Sequence, residues 1–488
     1  MSGSLTPLLA AQGLYFAIGA GLLPLLGVAR SWSGLLVRIG LAYMVGVAAV
    51  GILAAHLALA GVSLALPELS GAAAASLLLG WWRIVRRGEP STFSVPRPHL
   101  RWVIPFGALV ATVVLLGHAA RTFAVRPLLE WDGWAIWAMK ARALWEFGGA
   151  DGRVFTSPDY APLHLDYPLL FPSLEATAFR VMGGFDGTLV HVQLVALAFG
   201  FAAALWSLLY GRAPGDVLGL SILALMAAPP VLILLSWNVA DIPVAFFAGL
   251  GVAALGRWLV ADEGWALACA TLFLGAAALT KNEGLVFAVA AFVALAGALS
   301  LRGRRRLLPA GFAAFAVALT ILPWQVFTAV HDLRNTDYDL GKLLDFGYLS
   351  DRSERVEPAA AELWRQIGLE RWGYVVPLVF VALAAALLAR RFALAAFAAV
   401  WLGLSFAGLL LVYWISELEL GGHLLFSADR TVSTLVVGGG ALAPLLAGEA
   451  LRLVRGEATS GPADRAGSEA TAGGGHRVAP PLGAAGRS

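Results

Sequence analysis

Apolar runs of about 20 residues recur along the whole chain, and they constrain the fold more than any other feature. A helix of about 20 residues crosses the hydrocarbon core of a bilayer, which is about 30 Å thick. Only 13% of the residues are charged, whereas about 25% are charged in a typical soluble domain. The sequence therefore predicts an all-α polytopic membrane protein and excludes a soluble globular domain.

We count about thirteen apolar segments that satisfy this length criterion as helices. They are Leu8–Ala29, Leu41–Val62, Leu64–Trp82, Val103–Ala120, Leu189–Tyr210, Val217–Leu235, Ile242–Leu255, Trp265–Leu279, Leu285–Ser300, Leu307–Val330, Tyr374–Leu388, Phe392–Tyr413 and Val432–Leu451. Some are short or contain prolines, such as Pro229 and Pro230, so their limits are expected to shift by several residues.

Arginines cluster at every second connection between these segments. They are Arg30, Arg38, Arg83, Arg86, Arg87, Arg97, Arg101, Arg212, Arg257, Arg302, Arg304, Arg305, Arg306, Arg390, Arg391, Arg452 and Arg455. The positive-inside rule assigns these connections to the cytoplasm, which places the N-terminus outside and the C-terminus inside. The net charge of +3 thus reflects membrane topology and does not indicate a nucleic-acid partner.

The chain divides into three parts by this topology. Residues 1–100 contain three N-terminal spans, and residues 101–455 contain a transmembrane core with outside loops at 121–186, 331–372 and 415–430. Residues 456–488 are rich in Gly, Ala and Ser, so we expect a disordered cytoplasmic tail. The N-terminus lacks the features of a removable signal peptide, so we expect its first apolar segment to be a true span.

Two acids precede a tryptophan-rich segment in the first large outside loop, PLLEWDGWAIWAMKARALW. Helical spacing predicts an amphipathic helix in the membrane interface whose shared face carries Trp134, Trp137, Ala141 and Trp145. Lys140 falls largely off that face. Asp132 and Glu130 are candidate catalytic residues, and the alternatives are that Asp132 caps the helix and that Glu130 is a solvated loop acid.

A proline-rich segment follows, SPDYAPLHLDYPLLFPSLEA, with His164, Asp166 and Tyr167 as candidate binding residues. Its four prolines predict an ordered, extended loop with no helix before Leu174. The alternative is a structural loop in which His164 and Asp166 bond to each other.

Four further candidates lie where spans meet the same predicted side. Asp241 begins a span, and an ionisable group at that depth is costly unless it faces a partner or a cavity. It is also suited to cap a helix. Lys281 and Glu283 either contribute to a phosphate site or simply close a turn. Arg430 enters the last span on the side where topology-setting arginines are not expected, so it is a candidate phosphate ligand, although snorkelling to the interface is an alternative.

Five motifs in order make the chain resemble the C superfamily of membrane glycosyltransferases (GT-C), near the protein-mannosyl and aminoarabinose transferases. Glu130-Trp131-Asp132 is similar to the acidic pair of the first external loop in that superfamily, and the other motifs are HLDYPLLFPSLEA, NVADIPVAFF, LTKNEG and SADR. The resemblance runs from about Val103 to Leu451. Three spans precede the one that usually comes first, and Asp166 stands where some relatives carry lysine, which leaves the acceptor open.

The resemblance implies a GT-C-like core that transfers a sugar from a polyprenyl-phosphate donor to a hydroxyl of a glycan, lipid or protein. The site would face the periplasm at a bacterial plasma membrane. Asp132 would be the base of an inverting displacement. Arg430 and Lys281 would bind the leaving phosphate, or a divalent cation (Mg²⁺ or Mn²⁺) held by Glu130 and Asp241 would do so.

Two other functions remain open at the level of the sequence. A transporter or flippase of lipid-linked sugars would place ionisable groups near the middle of spans, whereas here they gather towards one side. A polysaccharide polymerase or ligase would use the same lipid-linked donor and differ in its acceptor.

Overall fold

The computed structural model describes residues 2–90, 102–301, 306–335 and 337–454. Within these ranges the chain forms helices and two isolated β-bridges, with no β-strand. The prediction of an all-α protein is confirmed. The predicted tail, 456–488, lies outside the described residues, as do Arg97, Arg101, Arg302, Arg304, Arg305 and Arg455.

Twenty α-helices follow one another along the described residues. They are α1 (Ser2–Leu25), α2 (Trp32–Arg38), α3 (Ala42–Leu59), α4 (Leu66–Arg87), α5 (Val103–Phe123), α6 (Met139–Phe147), α7 (Leu170–Met182), α8 (Val190–Leu209), α9 (Gly215–Ala227), α10 (Pro229–Leu235), α11 (Asp241–Ala261), α12 (Gly264–Thr280), α13 (Asn282–Ser300), α14 (Leu307–Val330), α15 (Phe346–Asp351), α16 (Val356–Ile367), α17 (Leu369–Trp372), α18 (Val375–Leu388), α19 (Phe392–Ile415) and α20 (Leu420–Val454). A π-helix, Asp132–Ala138, precedes α6.

The helices give the chain the architecture of a multi-pass membrane protein. In the described residues, nine helical segments are long and apolar enough to cross a membrane, or up to eleven if two bent helix pairs each count as one span. The pair α9 and α10 bends by 57° at Ala228, where Pro229 and Pro230 follow. Each predicted apolar segment coincides with a helix or with part of such a pair, and the predicted count of thirteen spans stays a prediction.

Helix α20 begins at Leu420, twelve residues before the predicted start at Val432. The segment 415–430 is therefore helical over most of its length, and its assignment to the outside of the membrane stays a prediction. Leu424, Ala428 and Val432 recur every four residues and are all buried, so one apolar stripe continues through the segment. Asp429 and Arg430 lie within this helix and make its composition less apolar, but the buried stripe continues past them.

The proline-rich segment is more helical than predicted. A 3₁₀-helix spans Pro158–Leu163, and α7 begins at Leu170 with Pro172 inside its first turn. A proline is tolerated there because the first N–H groups of a helix have no intrahelical partner. The prediction of an extended loop without helix before Leu174 is wrong.

Helices α11 and α20 pack against each other at the centre of the bundle. The two ends of α11 therefore mark the two ends of the bundle. Asp241 is the first residue of α11, and Arg257 lies 16 residues later, about 24 Å along the axis. At that second end Arg257 and Arg212 bond to Glu263 at 2.7 and 3.1 Å. Arg212 and Arg257, which the sequence assigns to the same side of the membrane, thus lie at the same end of the bundle. That this end faces the cytoplasm stays a prediction.

The first helices pack as part of the same bundle. Helix α1 contacts α3 and α4, and α3 also contacts α7 and α12. The division into three N-terminal helices and a core at residue 100 is not tested by these contacts and stays a prediction.

Candidate functional site

Asp132 begins the π-helix, which leads directly into α6. π-Helices are rare, and many of those that are known lie at functional sites. At the next position, Gly133, a Cβ atom would lie 2.2 Å from the carbonyl oxygen of Trp237, so a side chain would not fit. This close approach holds the first turn of the π-helix against the segment between α10 and α11. Asp132 lies inside the π-helix, whose N-cap residue is Trp131, so the alternative in which Asp132 caps the helix is not observed.

The tryptophans of this segment do not share one face. Trp131 and Trp134 are about half exposed, at 51% and 49%, whereas Trp137 is buried and stacks on Tyr167. The prediction assumed α-helical spacing, in which residues three apart are neighbours. In a π-helix the hydrogen bonds span five residues, so side chains three residues apart point in different directions. Lys140, predicted off the apolar face, is fully buried.

An ion pair joins Asp132 to Arg430, which lies 298 positions later in α20. Nη1 of Arg430 donates a hydrogen bond to Oδ2 of Asp132. Arg430 also interacts electrostatically with Asp241. Its Nε is buried and has no hydrogen-bond partner in the part of the chain that the structure describes. Two predicted site residues from distant parts of the sequence therefore meet, and one N–H of the guanidinium remains available for an acceptor.

Lys281 extends this arrangement to two more acids. It lies between α12 and α13, and its Nζ is 2.9 Å from Oδ1 of Asp241 and 3.1 Å from Oε1 of Glu283. Burial lowers the pKa of Lys281, but the two carboxylates outweigh it and raise the pKa above its ordinary value. We call Asp132, Asp241, Lys281, Glu283 and Arg430 the charged network. It joins the π-helix, α11, α13 and α20 at one end of the bundle.

Glu130 belongs to a different ion pair. It accepts a hydrogen bond from Arg126, four residues earlier in the sequence. Its other oxygen, Oε2, is buried and has no hydrogen-bond partner among the described residues. The structure therefore pairs Asp132, and not Glu130, with the charged network, and a catalytic role of Glu130 stays a prediction.

Three candidate residues of the proline-rich segment pack beside the network. The rings of His164 and Tyr167 stack with centroids 4.8 Å apart, and Lys140 donates a hydrogen bond to the carbonyl oxygen of His164. Nζ of Lys140 also lies 5.3 Å from the centre of the Tyr167 ring. Burial lowers the pKa of Lys140 to about 7, against a smaller opposite effect of Asp166. This lysine ties the segment to α6.

Asp166 is held by groups from two other parts of the chain. Its Oδ2 accepts hydrogen bonds from Nδ2 of Asn282 at 2.7 Å and of Asn335 at 2.9 Å. Its carbonyl oxygen accepts one from Trp324 at 3.2 Å. The alternative in which Asp166 bonds to His164 is not observed. The carboxylate in contact with His164 is that of Asp337, whose Oδ2 lies 3.9 Å from Nδ1.

Sequence reasoning missed several polar residues beside the network. Tyr413 bonds to Ser427 at 2.9 Å, its ring lies 4.7 Å from that of His423, and His423 bonds to Ser416 at 2.9 Å. One signal was available, because His423 precedes Arg430 by seven residues and therefore lies on the same face of α20. No comparable signal connected Tyr413 or Ser416 to the site.

The acids of the site do not form a ready metal centre. Among the described residues, no group of three or more His, Cys, Asp or Glu side chains is arranged to hold a metal ion. The two predicted metal ligands are engaged separately, Glu130 with Arg126 and Asp241 with Lys281. These donors, as arranged, do not fit a divalent cation, and the predicted Mg²⁺ or Mn²⁺ stays a prediction.

Comparisons with models of protein families, with curated proteins and with solved structures find no match for this chain. The function is therefore argued from the chemistry of the site. A partly buried cluster of three carboxylates and two cations can take a proton from a hydroxyl and can bind a phosphate within the same site.

Proposed function

We propose that this protein is a glycosyltransferase of the bacterial plasma membrane. It moves a sugar from a polyprenyl-phosphate donor to a hydroxyl of a glycan, lipid or protein on the periplasmic side. The observation that carries the proposal is the charged network, which brings together Asp132, Asp241, Lys281 and Arg430 from four of the motifs. The proposal also takes up the resemblance of the motifs to the GT-C superfamily.

Asp132 is the general base of the proposed reaction. Its carboxylate takes the proton of the acceptor hydroxyl while the hydroxyl oxygen forms a bond to the anomeric carbon. The bond between that carbon and the phosphate oxygen breaks, and its electron pair goes to the leaving polyprenyl phosphate. A single displacement of this kind inverts the anomeric configuration. A phosphate that binds Arg430 competes with Asp132 for the guanidinium, and this competition makes the carboxylate available to the hydroxyl.

Arg430 and Lys281 stabilise the charge that develops on the leaving phosphate. The guanidinium binds phosphate oxygens in a forked geometry, and Nε of Arg430 is the buried donor that has no partner among the described residues. The raised pKa of Lys281 keeps its ammonium group protonated at neutral pH. The mechanism uses these two cations, and no step is assigned to a metal ion.

The exposed tryptophans support a reaction at the membrane interface. Trp131 and Trp134 flank Asp132 and are each about half exposed. Tryptophan is enriched where the bilayer meets water, which is also the height of the phosphate of a lipid-linked donor. Anchoring by these indoles would therefore hold Asp132 at the depth of the bond that breaks.

The position of the network favours transfer over transport. Asp241 is the first residue of α11, and Lys281 lies between α12 and α13, so these charges lie at helix ends. A transporter of lipid-linked sugars is expected to bind near the middle of its spans. A polysaccharide polymerase or ligase would use the same network with another acceptor.

The proposal is tested with purified protein in lipid nanodiscs. Polyprenyl-phosphate hexoses and pentoses, each radiolabelled in the sugar, are incubated with a mixture of glycan, lipid and peptide acceptors. We expect the protein to release polyprenyl phosphate and to form a labelled product, whereas a flippase leaves the donor intact. Failure to cleave every donor, in folded protein, contradicts the proposal. A parallel reaction with EDTA tests the need for a metal.

A further inference from the structure

A cavity of about 490 Å³ adjoins the charged network. Glu283 lines this cavity and also belongs to the network through its 3.1 Å contact with Lys281. The volume of the cavity falls within the range of about 300–1,000 Å³ that is typical of sites for small molecules. Other lining residues are Asp166, Asn282, Trp324, Asn335 and Tyr338. A molecule bound here would lie next to the network.

Asp166 is the most unusual group in this lining. It is only 7% exposed, and both of its amide partners bind the same oxygen, Oδ2. Its other oxygen, Oδ1, is buried and lacks a hydrogen-bond partner within the described ranges. A buried acceptor without a partner costs about 1–3 kcal/mol, so a native structure that retains one calls for an explanation. A hydroxyl group of a ligand would supply the missing donor.

The charges around the cavity select against an anionic ligand. Asp166, Glu283 and Asp339 contribute three carboxylates to the lining, and Arg334 contributes one guanidinium. Arg334 already pairs with Asp332 at 2.9 Å and Glu283 with Lys281 at 3.1 Å. Asp166 and Asp339 therefore remain as carboxylates without an ion pair within the described residues. A phosphate or a carboxylate would be repelled here, whereas a hydroxyl group can donate to a carboxylate and accept from an amide.

The lining also combines amide groups with aromatic rings. Asn282 and Asn335 are fixed by their bonds to Asp166, and the rings of Trp324 and Tyr338 also line the cavity. Fixed amide donors, a carboxylate acceptor and apolar ring surfaces match a ring that bears hydroxyl groups on its edge and C–H groups on its faces. A lipid tail would leave these polar groups unsatisfied.

We propose that this cavity binds an uncharged sugar ring and that Asp166 accepts a hydrogen bond from one of its hydroxyl groups. The inference deepens the proposed function and rests on it for the role of the sugar as a substrate. Both the polyprenyl-phosphate donor and a glycan acceptor carry such a ring. In either case an anionic sugar, such as a uronic acid, is excluded.

Direct binding tests the inference without turnover. Purified protein in nanodiscs is titrated with the methyl glycosides of glucose, mannose, galactose and arabinose, and with methyl glucuronide, by saturation-transfer NMR. We expect at least one neutral glycoside to bind and the glucuronide not to bind. The variant Asp166→Asn keeps an oxygen for the two amide donors but replaces the unpartnered oxygen with an NH₂ group. It should weaken binding by about 10- to 100-fold, because a charged acceptor is lost.

Two further variants control this result. Asp159→Asn makes the same change seven residues earlier, at an exposed side chain outside the cavity, and should bind as the wild type does. Tyr338→Phe removes one hydroxyl from the lining and should weaken binding by about 2- to 10-fold. Thermal unfolding of each variant shows that it is folded. The inference is overturned if no neutral glycoside binds, if the glucuronide binds equally well, or if folded Asp166→Asn binds neutral glycosides as the wild type does.

The transfer assay separates the two sources of the sugar. An increase in KM for the donor alone in Asp166→Asn assigns the cavity to the donor sugar, and an increase for the acceptor alone assigns it to the acceptor glycan. If the wild type binds neutral glycosides through Asp166 but transfers nothing, the sugar site stands and the proposed function fails. If transfer occurs and Asp166→Asn changes neither KM nor binding, the sugar site fails and the proposed function stands.

Discussion

Substitution of Lys140 by methionine should change how the stability of the protein depends on pH. Lys140 is fully buried and donates a hydrogen bond to the carbonyl oxygen of His164. Burial lowers its pKa from the ordinary value of 10.5 to about 7. In the unfolded chain Lys140 has its ordinary pKa. Between pH 7 and 10.5 the folded and unfolded states therefore bind different numbers of protons.

The sign and the size of the effect follow from this difference. Below pH 7 both states carry the proton, and the folded state bears the full cost of a buried ammonium group. Between pH 7 and 10.5 only the unfolded state is protonated, so the free energy of unfolding rises with pH. At 1.36 kcal/mol per pH unit, the gap between 10.5 and 7 amounts to about 5 kcal/mol. The gain is complete above pH 10.5, where both states are neutral.

The assay is thermal unfolding of the nanodisc-embedded protein between pH 6 and 10. The Tm of the wild type should rise more steeply above pH 7 than that of Lys140→Met, which lacks the titrating group. Lys342→Met is the matched control, because Lys342 lies outside the membrane-spanning helices and packs on Tyr348 at 5.1 Å. It should retain the slope of the wild type. Equal slopes in the wild type and Lys140→Met would refute the reasoning.

Three other substitutions have distinct expected outcomes. Gly133→Ala should destabilise the protein by about 1–3 kcal/mol, because its Cβ would meet a carbonyl oxygen; an unchanged Tm would contradict this. Arg430→Lys keeps the charge but loses the forked geometry, so transfer should fall about 10- to 100-fold at nearly constant Tm, and wild-type rates would show that the guanidinium is not needed. Arg257→Met should cost roughly 3 kcal/mol through its pair with Glu263. It should leave transfer per folded molecule unchanged, because Arg257 lies about 24 Å along α11 from the network, and a specific loss of activity would contradict this separation.

The sequence predicted that the site residues lie on one side of the membrane because most of them lie at helix ends. Asp241 and Lys281 adjoin apolar segments whose alternation assigns them to one side, and the structure brings their side chains within 2.9 Å of each other. Arg430 was assigned to the same side although its helix begins ten residues earlier than the arginine itself. An error in a helix boundary therefore did not change the end at which a residue lies.

The sequence did not predict contacts that depend on tertiary packing. Asp166 bonds to Asn335, which is 169 positions away, and no local pattern connects the two. The π-helix packs closely at Gly133 against another segment, and helical periodicity within PLLEWDGWAIWAMKARALW could not reveal this contact. The burial of Lys140 follows from the same local geometry, since the π-helix changes the direction in which later side chains point.

The central claim is that Asp132 takes the acceptor proton beside a phosphate held by Arg430. The most direct test is the rate of sugar transfer by Asp132→Asn under single-turnover conditions, with donor saturating and with Asp159→Asn as the matched control. Removal of a general base should lower the rate by about 10²- to 10⁴-fold, while the donor still binds and thermal unfolding shows that the variant is folded. Transfer by folded Asp132→Asn at the wild-type rate would contradict the account.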